Sequence, residues 1–312
     1  MRPSLRGLTR LLVAAVATVM VVGTLVVAVA RTTGDDRTGA PVVADGNVGL
    51  RLDSSVATPS QTPSSTPGSV AGTSAACDST VLGSPAAQDV EAAVKAVANQ
   101  RDATIAVSWL DRQQKVVRST GGLADVPAWS TAKVPLALAV TANGGGDALR
   151  PIISAMIRSS DNDAADILWR SLGSDDATRA ESVTDVLRRA GDSSTTVPSV
   201  QIFPPYSVFG QTQWTTGAQV QFLLQLPCQV GASQVIEDMQ SVDPDQRWGL
   251  GTKPDSTFKG GWGPSADGGY TVRQFGWYRD PDGDSVPVAL AVHARSFEEA
   301  VATLDSLTTA LG

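Results

Sequence analysis

Between residues 86 and 100 the apolar positions Val90, Ala93, Val94 and Val97 recur at three- and four-residue intervals, the period of a helix with one buried face. Ser84 and Pro85 just before it read as an N-cap followed by proline at the first helical position. The period then changes. TIAVSWLD (104–111) and KVVRST (115–120) are rich in β-branched and aromatic residues and read as two strands, joined by a polar turn around Asp111-Arg112. Helical spacing returns from about 130 to 240, with Gly173 and Gly191 as stops. Three more strand patterns follow: STFKGGW (256–262), YTVRQFGWY (270–278) and VPVALAVHA (286–294), with Asp282-Gly283 as a turn between the last two. Ser296-Phe297-Glu298-Glu299 is a capping box that opens a C-terminal helix. This order predicts an α/β (α+β) fold: an antiparallel five-stranded sheet flanked by the terminal helices, with an all-helical subdomain inserted between the second and third strands.

Upstream the pattern is of another kind. Residues 11–30, LLVAAVATVMVVGTLVVAVA, carry no charge and would span roughly 30 Å as a helix, the hydrocarbon thickness of a bilayer. Arg2, Arg6 and Arg10 in the basic segment 1–10 keep that end cytoplasmic by the positive-inside rule and send the rest across. An uncleaved membrane anchor is the favoured reading. A cleaved signal segment is the rival, since Ala28-Val29-Ala30 offers a cleavage site. Residues 31–75 are rich in Ser, Thr, Pro and Gly and poor in large apolar side chains, so they read as a disordered tether. The folded domain is expected over 76–312. The whole places a C-terminal domain outside the cytoplasm on a single-pass anchor.

Composition narrows the partners. A net charge of -7 argues against nucleic acid, which demands a basic face. With one histidine, His293, and two isolated cysteines, a zinc site has no ligand set, and no metal or other cofactor is expected. On the oxidising side of a membrane, Cys77 and Cys228 would form a disulfide tying the start of the domain to its middle, against two buried thiols otherwise.

Three short motifs carry candidate chemistry. Ser130-Thr131-Ala132-Lys133 opens the apolar run VPLALAV, and at i and i+3 on a helix a lysine can take a serine's proton if burial keeps the amine neutral. Alone it also fits an N-cap serine and a solvated lysine. Ser160-Asp161-Asn162 lies on a link between two helices, where a hydroxyl and an amide can shuttle a proton and hold a substrate amide; helix punctuation is the plain alternative. Lys259-Gly260-Gly261 sits inside a strand pattern, where glycines permit close approach of a ligand or backbone and a lysine can bind a carboxylate; a bulge beside a surface lysine fits too.

In their order and contexts, S-x-x-K, S-D-N and K-x-G resemble the motif set of the class A β-lactamase and penicillin-binding-protein (D,D-peptidase) superfamily of serine hydrolases. The resemblance covers most of 76–312. It implies that Ser130 attacks an amide carbonyl, with Lys133 as base or relay and Ser160 passing the proton to the leaving nitrogen. Asn162 would bind the substrate's side-chain amide and Lys259 its carboxylate. The backbone N–H groups of Ser130 and Trp262 would form the oxyanion hole. The implied substrate is a peptidoglycan peptide or a β-lactam.

Two departures qualify it. The third motif is K-G-G where the family has K-T-G, so a hydroxyl that helps hold the substrate carboxylate is missing at Gly260. Arg247 and Arg273 are candidate replacements, and a surface ion pair is the alternative for each. The family's water-activating glutamate also has no counterpart in AGDSSTTVPSVQIFPPYSVFGQTQW (190–214). Glu181 reads as a solvated helix charge and Asp192 as a helix-end residue. Slow acylation, or peptidase action on cell-wall peptides, fits better than efficient antibiotic hydrolysis. The alternative is a non-catalytic cell-wall binding or sensor domain that keeps the fold. His293 reads as a half-buried structural residue, while Trp129 and Trp262 adjoin the motifs and could wall a pocket.

Overall fold

The computed structural model describes residues 82–123 and 126–311. The chain divides into the units Met1–Pro67 and Gly68–Gly312, and the described residues all lie in the second. The expected anchor (11–30), the expected tether (31–75) and Cys77 lie outside them. Among the described residues no helix is long and apolar enough to cross a membrane. Cys228 is disulfide-bonded.

Five strands form one antiparallel sheet in the order β2-β1-β5-β4-β3: β1 Thr104–Asp111, β2 Val116–Gly121, β3 Thr257–Pro264, β4 Tyr270–Arg279 and β5 Ser285–Ala294. Helices α1 (Ala87–Gln100) and α8 (Phe297–Ala310) cover one face. The other face carries the helical insert between β2 and β3: α2 (Lys133–Val140), α3 (Arg150–Arg158), α4 (Asn162–Ser171), α5 (Asp176–Arg189), α6 (Thr216–Gln225) and α7 (Ala232–Gln240). The expected fold class is the observed one.

The central strand shows how one sheet serves two cores. On β5, Val286, Val288, Leu290 and Val292 point towards α1 and α8, where Val90, Val94 and Val97 meet Leu304 and Leu307. The alternate residues Ala289 and Ala291 are small, and α6 lies across β5 and β1 on that side. Bulk on one face and alanine on the other is how a two-sided strand admits a close helix. Each fully buried valine or leucine here contributes roughly 1.5–3 kcal/mol.

One helix start differs from expectation, and another is placed as expected but capped in part. α1 begins at Ala87 behind Ala86, without a side-chain cap, because the Ser84 hydroxyl is turned to accept from the Arg112 N–H at 3.3 Å, across to the β1–β2 turn. α8 keeps half of its capping box. Glu299 N–H donates to Ser296 Oγ at 3.2 Å, but the Glu299 carboxylate is drawn to Arg295, at 2.9 Å, rather than back to the cap.

Candidate active site

Ser130 lies in the single helical turn Trp129–Ala132 that runs directly into α2. Trp129 takes a left-handed backbone, φ 48°, a conformation that costs a bulky residue about 1–3 kcal/mol and persists only where the surroundings enforce it. They do so here. The indole is buried edge-on to Tyr206, with centroids 5.1 Å apart, and lies against the glycine at 263. Ala128 N–H donates to the Thr212 carbonyl at 2.7 Å, and Thr131 Oγ1 donates to the Ala128 carbonyl. The turn that presents Ser130 is therefore held from several sides.

All eight residues of α2 are buried, Lys133 included at 1% exposure. Lys133 Nζ donates to the Ser160 carbonyl (2.6 Å) and Asn162 Oδ1 (2.7 Å) and stands 3.4 Å from Ser160 Oγ. Burial pulls its pKa down to about 7, against the smaller opposing pull of Asp161 and Asp166. An amine in this state can both take and give a proton near neutrality.

Ser160 lies between α3 and α4 with φ 55°, and that left-handed twist turns both its carbonyl and its hydroxyl towards the lysine. The cap of α4 is Asp161, which accepts from Ala164 N–H at 2.9 Å. Helix punctuation thus falls to the middle residue of the motif, leaving the Ser160 and Asn162 side chains for the cleft. From the sheet, Lys259 Nζ donates to Ser160 Oγ at 2.9 Å and to the Gly260 carbonyl at 3.0 Å. Lys259 is fully buried, and desolvation together with the charge of Lys133 pushes its pKa well down.

β3 is an edge strand, and its glycines bring it flush against the serine turn. A Cβ at Gly261 would lie 2.8 Å from Ser130 N and 2.9 Å from the Ala128 carbonyl; one at Gly263 would lie 2.5 Å from the Trp129 ring. No side chain fits at either place. Trp262 stands between them, so its backbone is carried past the Ser130 turn. Gly263 escaped the sequence reading, although glycine at alternate strand positions 261 and 263 marks one face of close approach.

Gly260 faces the opposite way. A Cβ there would meet the Trp248 ring at 3.4 Å, and Trp248 packs edge-on against Trp262 with centroids 5.9 Å apart. The arginines do not replace its missing hydroxyl as expected. Arg273 is fully buried: Nη1 donates to the carbonyls of Val126 (3.0 Å) and Pro127 (3.1 Å), and Nη2 to the Trp214 carbonyl and Gln219 Oε1, both 2.6 Å. The inward alternation of β4 turns it into a clamp on the segment leading to Ser130. Arg247 is held away by Gln240 O and Ser256 Oγ, at 3.3 Å each, with its guanidinium over Phe258.

The cleft around Ser130 has a volume of about 680 Å³, and Ser160, Asn162, Trp129, Tyr206 and Trp262 line it. Its outer wall is the 192–214 loop. Asp192 does more than end a helix: Oδ1 accepts from the N–H groups of Ser194 (3.1 Å) and Thr195 (3.0 Å), and Oδ2 from Trp214 Nε1 (3.0 Å), joining the two ends of the loop. The Gln211 amide holds the middle, its Oε1 accepting from Ile202 and Phe203 N–H at 2.7 Å each. Tyr206 and Gln211 had no signal in the sequence, since loop residues carry no period. Glu181 is an exposed residue of α5, as read. His293 closes the β3–β4 hairpin instead of serving the cleft, with Nδ1 3.1 Å from Ser265 Oγ and Nε2 3.2 Å from Asp267.

No protein-family model and no curated protein sequence matches this chain. Solved structures do. A class A β-lactamase from Bacteroides cellulosilyticus superposes with a TM-score of 0.59 at 15% identity, over 72% of this chain and 96% of the other. A β-lactamase from Chitinophaga pinensis gives 0.58 at 15%, over 71% and 97%. The chromosome-encoded β-lactamase of Vibrio parahaemolyticus gives 0.53 at 17%, over 70% and 96%. The chain has the β-lactamase fold.

Proposed function

We propose that this protein is an extracytoplasmic serine hydrolase that acts on β-lactams or D-Ala-D-Ala-type peptide amides through a Ser130 acyl-enzyme. The observation that carries the reading is the pair of buried lysine amines, Lys133 and Lys259, converging on the Ser160 hydroxyl beside the Ser130 turn. Neutral Lys133 takes the Ser130 proton as Oγ bonds to the substrate carbonyl carbon. The carbon–nitrogen bond breaks, the leaving nitrogen takes the Ser160 proton, and the Lys133 ammonium refills Ser160. Lys259 holds the Ser160 hydroxyl in place. The anchor expected over 11–30 and its arginines support placement of this domain on the outer side of a membrane.

The test is labelling by a fluorescent penicillin. Wild type takes the label and Ser130→Ala does not; a folded wild type left unlabelled refutes the reading. A non-catalytic cell-wall binder of the same fold is the second reading, favoured by glycine at 260 and the Trp248 ring beside it. Capture on peptidoglycan that survives Ser130→Ala, without acylation of wild type, would establish it.

A further inference from the structure

An acyl-enzyme that turns over needs a group to activate water, and the 190–214 segment supplies no glutamate. Two carboxylates line the cleft with Ser130 among the described residues, Asp166 and Asp176. Asp176 is committed: its Oδ1 accepts from Trp169 Nε1 at 2.8 Å and from Arg179 Nη1 at 2.7 Å. Asp166 is placed differently. It follows Asn162 by four residues on α4, one turn along the same face, and Asn162 itself touches Lys133 Nζ. Its side chain is half-exposed, and Arg170 stands 3.7 Å away, at the outer edge of ion-pair range and itself largely in solvent. Its charge reaches the catalytic lysine, since Asp166 is among the groups that support the proton on Lys133.

We propose that Asp166 is the general base for deacylation, taking over from a helix face the work that relatives of this fold assign to a loop glutamate. The inference rests on the Ser130 acyl-enzyme proposed above. The Asp166 carboxylate removes a proton from a cleft water while the water oxygen bonds to the acyl carbon. The Asp166 carboxyl passes that proton to the neutral Lys133 amine, and the resulting ammonium gives it to Ser130 Oγ as the carbon–Oγ bond breaks. One hydrogen of the water ends on Ser130 and the other leaves with the product acid.

The experiment follows the intact mass of the full-length chain after a pulse of a β-lactam. In Asp166→Asn the adduct forms within a few-fold of the wild-type rate but persists at least about 100-fold longer, the usual worth of a general base. Hydroxylamine, a nucleophile that needs no base, shortens that lifetime. Arg170→Ala leaves the adduct lifetime within about threefold, which separates base catalysis from a lost ion pair. An Asp166→Asn adduct that decays at the wild-type rate overturns the inference and leaves the Ser130 acyl-enzyme standing. So does a wild-type adduct as long-lived as the variant's, or an Arg170→Ala effect equal to that of Asp166→Asn. A wild type that forms no adduct overturns the Ser130 reading and this inference with it.

Discussion

Lys259 Nζ donates to Ser160 Oγ at 2.9 Å across 99 positions of sequence, joining the edge strand of the sheet to the link between two helices of the insert. The hydroxyl also faces Lys133 Nζ at 3.4 Å, so three polar side chains act as a unit. Groups that act as a unit are non-additive. Ser160→Ala and Lys259→Ala are each expected to slow β-lactam acylation about 100-fold, as loss of a proton-transfer partner does. The double variant should be little worse than the slower single one. Stopped-flow acylation rates for the four proteins decide it, and fully multiplicative losses would mean that the two side chains act independently.

The pKa of about 7 at Lys133 makes a prediction about pH. Burial disfavours the ammonium, so the neutral amine grows as pH rises through 7, and the acylation rate should rise with it. Stability follows the same sign. The folded pKa lies below the ordinary lysine value, so in the window between them the unfolded chain binds the extra proton and stability climbs with pH. Lys133→Met removes that slope. Thermal unfolding between pH 6 and 9 should show wild type gaining on the variant as pH increases; parallel curves would show an amine that stays charged.

Gly261→Ala tests the close approach of β3. Its Cβ would meet Ser130 N at 2.8 Å and the Ala128 carbonyl and Thr131 N at 2.9 Å, all backbone atoms, with no flexible side chain to give way. Overpacking of this kind costs about 1–3 kcal/mol. For a domain of this size that is about 2–4 °C of melting temperature per kcal/mol. Acylation should fall more steeply than stability, because the displaced atoms belong to the turn that carries Ser130, the proposed nucleophile. An alanine variant with full activity would show that the strand and the turn need no such contact.

Arg273 is predicted to act through stability and not through substrate affinity. Its four acceptors are neutral oxygens, and Gln219 passes the chain on to Thr131 Oγ1 at 3.0 Å, beside Ser130. Lysine cannot reproduce the planar fork. Arg273→Lys should lose about 2–4 kcal/mol, the scale of charge-assisted hydrogen bonds broken in a buried site. Denaturant unfolding measures it. A loss confined to the affinity for carboxylate-bearing substrates, at unchanged stability, would return Arg273 to a binding role.

The fold was legible because its elements announce themselves locally. The β1 pattern read over 104–111 spans the strand observed, and Val90, Val94 and Val97 face the core as their spacing required. The motif order S-x-x-K, S-D-N, K-x-G likewise placed each polar group on its element. The helix start at Ser84 was misread because a hydroxyl near a helix can serve another partner, here Arg112 N–H. The arginines were misread for a related reason: the strand pattern put Arg273 on β4 but carried no sign of the carbonyls waiting for it.

By itself the sequence determined the alternation of strand and helix, the residue types available for acyl transfer and the lack of a loop glutamate, since these depend on periods and identities along one chain. Only the tertiary structure decided which polar groups meet. Lys133 and Lys259 owe their lowered pKa values to burial, Arg273 became a clamp through distant carbonyls, and Asp166 entered the cleft through the packing of α4. Desolvation and hydrogen bonding depend on neighbours in space, and those neighbours lie tens of residues away in the chain.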